Sequence, residues 1–300
     1  MKKLASIVIP TLNGEDKFKL VLDKIYSQTY KNFELIVIDS GSTDGTVELV
    51  KKYPAKLIHI KSREFGHGKT RNFGATKTKG EFVVFLTQDA IPCSNIWLSS
   101  IIEPFSDKQI AGVYGRQIPK PDENTLDKLF FLSLYGKKDI MWTINNCSQG
   151  DNIFSDANSA VRKEILLKYP HKVDIIVSED YEWAYRILSK GYKIFYSTNA
   201  SVIHSHSYNL TTLFRRNFDI GVSYKDIYKS SHGTSFFKKG LKIYFQEIKH
   251  LINIRNAHLI PMATLRDIIR FIAISIGKNE HLFSKETKKK YLSAQRGYWI

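Results

Sequence analysis

Leu35-Ile36-Val37-Ile38-Asp39-Ser40-Gly41-Ser42-Thr43-Asp44-Gly45 joins a short β-branched run to a loop of acidic and small residues. The run reads as a strand with Asp39 at its carboxyl end. Thr43 and Asp44 then supply capping side chains for a helix whose apolar positions begin at Val47 and Val50. The same alternation recurs outward in both directions. Strands are expected over residues 6–10, 33–39, 56–60, 82–87 and 110–114, and helices over 18–28, 43–53, 69–78 and 96–105. This pattern of βα units predicts an α/β fold with a mixed, mostly parallel sheet flanked by helices. A further helix fits 180–190, stopped by Gly191, with a strand after it at 193–196.

The chain has 300 residues, 43% of them hydrophobic and 13% aromatic, so it buries a sizeable core and is neither disordered nor a disulfide-stapled miniature. Its 45 Lys and Arg against 29 Asp and Glu leave a net charge of +16, which asks for a polyanionic partner: nucleic acid, an anionic membrane or a phosphorylated substrate. Two isolated cysteines, Cys93 and Cys147, fit a reduced, intracellular protein without a zinc site. The basic start Met1-Lys2-Lys3-Leu4-Ala5 runs into Pro10-Thr11-Leu12-Asn13 too soon for a signal-peptide core, and no secretion is expected. The longest apolar stretch, 259–276, contains Arg266, Asp267 and Arg270; it predicts no membrane crossing but leaves room for lying on a surface.

Regularity weakens after Tyr114, through Pro119-Lys120-Pro121 and on to about Asp151, as in segments that line binding sites. From 210 onward the chain reads as helical, with 17 Lys and Arg against 6 Asp and Glu, a net of +11. Two units follow: 1–209 as the catalytic part and 210–300 as a basic, amphipathic helical region.

Ligands of open α/β sheets sit beyond the carboxyl ends of strands, and Asp39 can accept hydrogen bonds there from a base or ribose, or cap the following helix. Asp89, in Phe85-Leu86-Thr87-Gln88-Asp89-Ala90, ends another apolar strand and offers an oxygen to a hard divalent cation bridging phosphates. Asp180 opens a helix whose Ala184 and Ile187 continue an apolar stripe. Its carboxylate is therefore expected to point inward, where desolvation suits a general base, with Glu179 left to solvent. His204 and His206 follow the strand-like Ala200-Ser201-Val202-Ile203 on one side, and either can complete a metal site. Gly68-Lys69-Thr70 copies the end of a phosphate-binding P-loop, but Arg63 stands where that pattern needs glycine. A P-loop-like hydrolase is thus a secondary reading; Arg71 remains available to a phosphate or ribose.

These stretches resemble the inverting family 2 glycosyltransferases of GT-A, Rossmann-like fold. The resemblance rests on Ile7-Val8-Ile9-Pro10-Thr11-Leu12-Asn13-Gly14, on 34–46 around Asp39, on Thr70-Arg71-Asn72-Phe73-Gly74-Ala75, on 85–90 and on Ser178-Glu179-Asp180. Glu64-Phe65-Gly66-His67-Gly68, Thr87-Gln88-Asp89-Ala90 and Ser155-Asp156-Ala157-Asn158-Ser159-Ala160 are most similar to the branch that transfers rhamnose from dTDP-rhamnose. The resemblance implies that Thr11, Asn13 and Asp39 line the nucleotide pocket, that Arg71 supports the donor, and that Gln88 adds a neutral hydrogen bond. It also implies Asp89 with His204, or His206 in its place, as ligands of Mg²⁺ or Mn²⁺, and Asp180 as the base. Thr87 stands where the family's Asp-x-Asp motif has its first acid, which weakens the expected hold on the cation.

The C-terminal helices interleave cations with apolar residues, as in Phe236-Phe237-Lys238-Lys239-Gly240-Leu241-Lys242-Ile243-Tyr244-Phe245. This suits an anionic leaflet with lipid-linked or saccharide acceptors in reach, and places the protein in the cytoplasm, peripheral on the inner face of the membrane. Nucleic-acid binding competes for the same charge, yet no recognition helix, RNA-binding aromatic motif or zinc finger accompanies it, so no nucleic-acid partner is expected.

Overall fold

In the strand Ala5–Thr11, Ile7 and Ile9 point to one side and Val8 to the other, and all three are fully buried. A strand that is apolar on both faces needs helices above and below it, and this requirement organises the chain. The computed structural model describes residues 3–148, 151–227 and 234–299; Met1 and Lys2, and the side chains of 236–239, lie outside the described residues.

Among the described residues nine strands form one sheet: β1 (Ala5–Thr11), β2 (Phe33–Asp39), β3 (Ala55–His59), β4 (Phe82–Leu86), β5 (Ile91–Pro92), β6 (Ile110–Ile118), β7 (Ile140–Trp142), β8 (Asn158–Arg162) and β9 (Lys193–Ile203). Their order is β3-β2-β1-β4-β8-β6-β9-β5, with β7 also on β9. The β3-β2-β1-β4 half is parallel, and so is β6 with β9. β8 runs antiparallel to both β4 and β6. Reversing direction twice restores it, so the carboxyl ends of β1, β2, β4, β6 and β9 all reach one edge, and β8 begins there.

Ten helices are used below: α1 (Glu15–Tyr26), α2 (Thr46–Val50), α3 (His67–Thr76), α4 (Trp97–Ile102), α5 (Thr125–Leu134), α6 (Lys163–Lys168), α7 (Glu179–Leu188), α8 (Leu210–Ile227), α9 (Thr234–Asn253) and α10 (Ile260–Lys278). α1 and α4 cover the face of Ile7, Ile9 and Val37 with Phe18, Leu22, Trp97 and Ile101. α3 and α7 cover the opposite face, where Ala75, Trp183 and Ile187 meet Val8, Ile36 and Phe85.

The second helix is shorter than expected because Asp44 and Ser42 bind backbone groups of the loop and hold it non-helical up to Gly45. β6 and β9 run further than expected, to Ile118 and Ile203. β8, which carries the reversal, was absent from the expected strands.

The basic C-terminal helices pack back onto this core. α8 and α10 cross at Gly221 and Gly277, where a side chain on Gly277 would collide with the Phe218 carbonyl. Phe218 and Val222 of α8 pack with Ile176 and Trp299, and Ser223 bonds both backbone groups of Val177. A buried Arg266–Asp127 ion pair ties α10 to α5. Among the described residues no helix is long and apolar enough to cross a membrane.

Candidate active site

Strand ends deliver the site residues to one edge. Thr11 and Asp39 end β1 and β2 as direct partners, and Thr87-Gln88-Asp89 follows β4 on the other side of β1. Gln88 knits these together. Its Oε1 accepts from Thr11 Oγ1 at 2.6 Å and from the Leu12 amide at 2.8 Å, while its Nε2 donates to the Leu12 carbonyl at 3.0 Å. Asn13, held at a left-handed φ of 49°, accepts from the Thr43 amide at 2.8 Å and so fastens the β1 loop to the β2 loop. Asn13, Gln88, Asp89 and His206 line a cleft of about 510 Å³, together with Asp44 and the start of α1.

Asp39 lies buried at the tip of β2 and does not line that cleft. Its carboxylate accepts from the Gly41 and Ser42 amides and from the Ser42 hydroxyl, with His59 Nδ1 at 3.4 Å. Burial raises its pKa, but the hydroxyl and amide donors outweigh burial and hold it below the ordinary carboxylate range. Asp39 does not cap α2, which begins at Thr46; its carboxylate instead holds the turn at Gly41 and Ser42.

Asp89, His204 and His206 come together. One ligand atom from each lies within 4.8 Å of the others, with His204 Nε2 at 3.5 Å and His206 Nε2 at 3.9 Å from the Asp89 carboxylate. The sequence left open which histidine belongs to the cluster; the structure places both in it. His204 Nδ1 donates to Gln117 Oε1 at 2.7 Å, which leaves Nε2 as the bare nitrogen facing Asp89. Gln117 is fixed in turn by donating to Tyr135 Oη and Ser155 Oγ. Burial, helped by the charges of Lys120 and Arg216, pushes His206 down to about 4 against the pull of Asp89, so it is neutral and free to ligate. Two imidazoles and one carboxylate can hold a divalent cation, and the Thr87 hydroxyl, buried without a partner, adds no second charge.

Asp180 sits at the start of α7, immediately after Ser178, whose left-handed φ of 66° turns the chain into the helix. Its Oδ2 accepts from the Asp156 amide at 3.0 Å and its Oδ1 from the Tyr181 amide at 2.8 Å. Burial and the charges of Glu179 and Asp156 push it up to about 6. A half-buried carboxylate with that affinity for a proton is suited to take one from a hydroxyl near neutral pH. Hydrogen bonds also connect it to the cation cluster, through Asp156, the neighbouring Ser155, Gln117 and His204.

Two expectations are corrected. Glu179 is buried, not solvent-facing, because Arg71 NH1 donates to its Oε1 at 2.8 Å. Arg71 is therefore not available to the donor. It lies on the buried face of α3, 3.6 Å from Asp156 Oδ2, and neutralises the two carboxylates that crowd Asp180. His171 Nε2 approaches the same Asp156 oxygen at 3.1 Å, both side chains fully enclosed. Burial disfavours both charges, but their mutual attraction outweighs it, lowering Asp156 and raising His171. The Gly68-Lys69-Thr70 stretch forms no phosphate cradle. A Cβ at Gly68 would stand 2.9 Å from the Lys172 carbonyl, so glycine serves the contact between α3 and the chain before α7.

Residues 6–169 match the description glycosyl transferase family 2. The chain belongs to that family. It is 34% identical to the O-antigen chain rhamnosyltransferase WbaN of Salmonella anatum and 33% identical to RfbN of Salmonella typhimurium; each match covers 98% of this chain and 95% of the relative. Among solved structures it resembles the mannosyltransferase PcManGT from Pyrobaculum calidifontis, in complex with GDP-Man and Mn²⁺. The TM-score is 0.59 at 18% identity, covering 100% of this chain and 86% of that one. Family 2 membership with this GT-A-like sheet makes the protein a glycosyltransferase acting from a nucleotide-sugar donor. The P-loop hydrolase and nucleic-acid-binding readings have no support left.

Proposed function

We propose that the enzyme transfers rhamnose from dTDP-rhamnose, with inversion, to a hydroxyl of a surface-polysaccharide or lipid-linked acceptor. The observation that carries the sugar assignment is the end-to-end likeness to two O-antigen rhamnosyltransferases. Thr11, Asn13, Asp39 and Gln88 form the nucleotide side of the pocket, and Asp180 is the base. The acceptor oxygen attacks the anomeric carbon, its proton passes to Asp180, and the electron pair of the breaking bond leaves with the nucleoside diphosphate. Asp89, His204 and His206 would hold Mg²⁺ or Mn²⁺, which supplies charge neutralisation at the diphosphate when bound. Residues 1–209 act as the catalytic unit and 210–300 as a basic helical region.

The second part of the proposal places the enzyme on the inner face of the cell membrane. On α9, Leu241, Phe245 and Ile252 are exposed beside Lys242 and Lys249. On α10, Met262, Leu265, Ile268 and Ile272 form an exposed stripe. Apolar rows with basic neighbours suit an anionic leaflet carrying a lipid-linked acceptor.

The test is nucleotide release from dTDP-, UDP- and GDP-sugars with and without Mn²⁺. Release from dTDP-rhamnose above the others is expected. Preference for a GDP-sugar would overturn the rhamnose assignment, and no release from any donor would overturn the donor reading itself.

A further inference from the structure

The structure assigns Lys120 and Arg216 to the donor diphosphate, as a pair of cations flanking the Asp89–His204–His206 cluster. The assignment deepens the donor reading above and rests on it. Lys120 follows β6, and its loop is fixed against the histidine strand: its amide donates to Ser205 Oγ at 3.0 Å and its Nζ to the Ser205 carbonyl at 2.8 Å. That carbonyl lies between the two candidate ligands. The ammonium stands 4.0 Å from Asp89 Oδ2, too far for a hydrogen bond, so two of its three donors are uncommitted to these groups.

Arg216 comes from α8. Its guanidinium lies over the Tyr208 ring at 4.8 Å, and that ring stacks on His206 at 6.0 Å. Arg216 is exposed, and among the described residues no carboxylate forms an ion pair with it.

Chemistry gives this arrangement a purpose. With Thr87 uncharged, Asp89 is the one carboxylate in the Asp89–His204–His206 cluster, and the multiply charged leaving group needs further neutralisation from elsewhere. Two side-chain cations near the cluster, Lys120 beside Asp89 and Arg216 behind Tyr208, supply it without a metal ligand. A planar guanidinium and an ammonium are the usual partners of phosphate oxygens. In the transfer, the pair would meet the electron pair arriving on the diphosphate as the anomeric bond breaks.

The test is calorimetric binding of dTDP and UDP, and of thymidine as an uncharged control, to the wild type, Lys120→Met and Arg216→Gln, in excess EDTA and again with Mn²⁺. Lys120→Met keeps the aliphatic stem, and Arg216 is exposed, so neither change removes buried packing. The wild type is expected to bind the nucleoside diphosphates in EDTA. Each variant should bind them about ten- to hundredfold more weakly while holding thymidine unchanged, and Lys120→Arg should recover most of the loss. Equal diphosphate affinity in wild type and variants would overturn the assignment. So would a parallel loss for thymidine, which would mark a structural role. Failure of the wild type to bind any nucleoside diphosphate, even with Mn²⁺, would instead overturn the donor reading.

Discussion

Replacing Asp180 by Asn should inactivate the enzyme and, above neutral pH, stabilise it. The carboxyl is pushed up to about 6 from an ordinary 3.8, first by burial and then by Glu179 and Asp156. A group whose folded-state pKa is raised contributes stability below the unfolded value, and that contribution is lost as pH rises through the folded value. At pH 7.5 the ionised Asp180 therefore costs the fold up to about 3 kcal/mol, two units at about 1.4 kcal/mol each. Asparagine is neutral at every pH and keeps an oxygen for the Asp156 amide. Thermal melts should show Asp180→Asn exceeding the wild type at pH 7.5 by about 2–8 °C, with the difference vanishing near pH 4. Turnover should fall by about two to four orders of magnitude, and wild-type kcat/KM should decline about tenfold per unit below pH 6. A gain in melting temperature that is the same at pH 4 and pH 7.5, or turnover within tenfold of the wild type, would refute the reasoning.

Gln117→Leu removes the acceptor that fixes the His204 tautomer; Mn²⁺ affinity, followed by electron paramagnetic resonance, should drop about ten- to hundredfold. Glu179→Leu removes the 2.8 Å partner of Arg71 in the interior, and chemical denaturation should register a loss of about 3–5 kcal/mol. Paired substitutions Phe245→Glu and Ile268→Glu place charge in exposed apolar rows. They should abolish flotation with anionic vesicles at physiological salt while nucleotide release from the donor continues.

Runs such as Ile7-Val8-Ile9 and Ile36-Val37-Ile38 announced their strands because burial on both faces demands β-branched residues throughout. Acids at the strand tips were legible for the same reason: each ended an apolar run abruptly. Glu179 and Arg71 were not. At a helix start two consecutive acids differ by about 100° in direction, and nothing local says which one turns inward. The decision belongs to Arg71, far away in sequence, whose own helix buries Gly68, Thr70, Arg71, Gly74 and Ala75 along one face. That face combines glycine, threonine and a cation, a composition that ordinary hydrophobic periodicity does not register. Gln117, Lys120 and Arg216 lay in stretches read as irregular or merely basic, and their chemistry appears only once β9 and α8 are placed beside them.

The antiparallel β8 is the device that makes a single site out of two halves of the chain. Its pairing of Leu86 with Asn158 sets residues 155–157 against the tip of β4, and the Thr87 amide bonds the Ala157 carbonyl at 3.2 Å. From there the Asp156 amide reaches Asp180 while Ser155 reaches Gln117. A parallel strand in that position would deliver its amino end to the opposite edge and leave Asp180 with neither its amide donor nor its connection to His204. The same strand brings the Asp156 carboxylate beside Asp180, where its charge helps hold the proton affinity high. Arg71 and His171 then follow as necessities, since that carboxylate buried without cationic neighbours would be prohibitively costly. The buried charges behind Asp180 are thus a consequence of the strand that assembles the site, and they tune the group that the site most needs tuned.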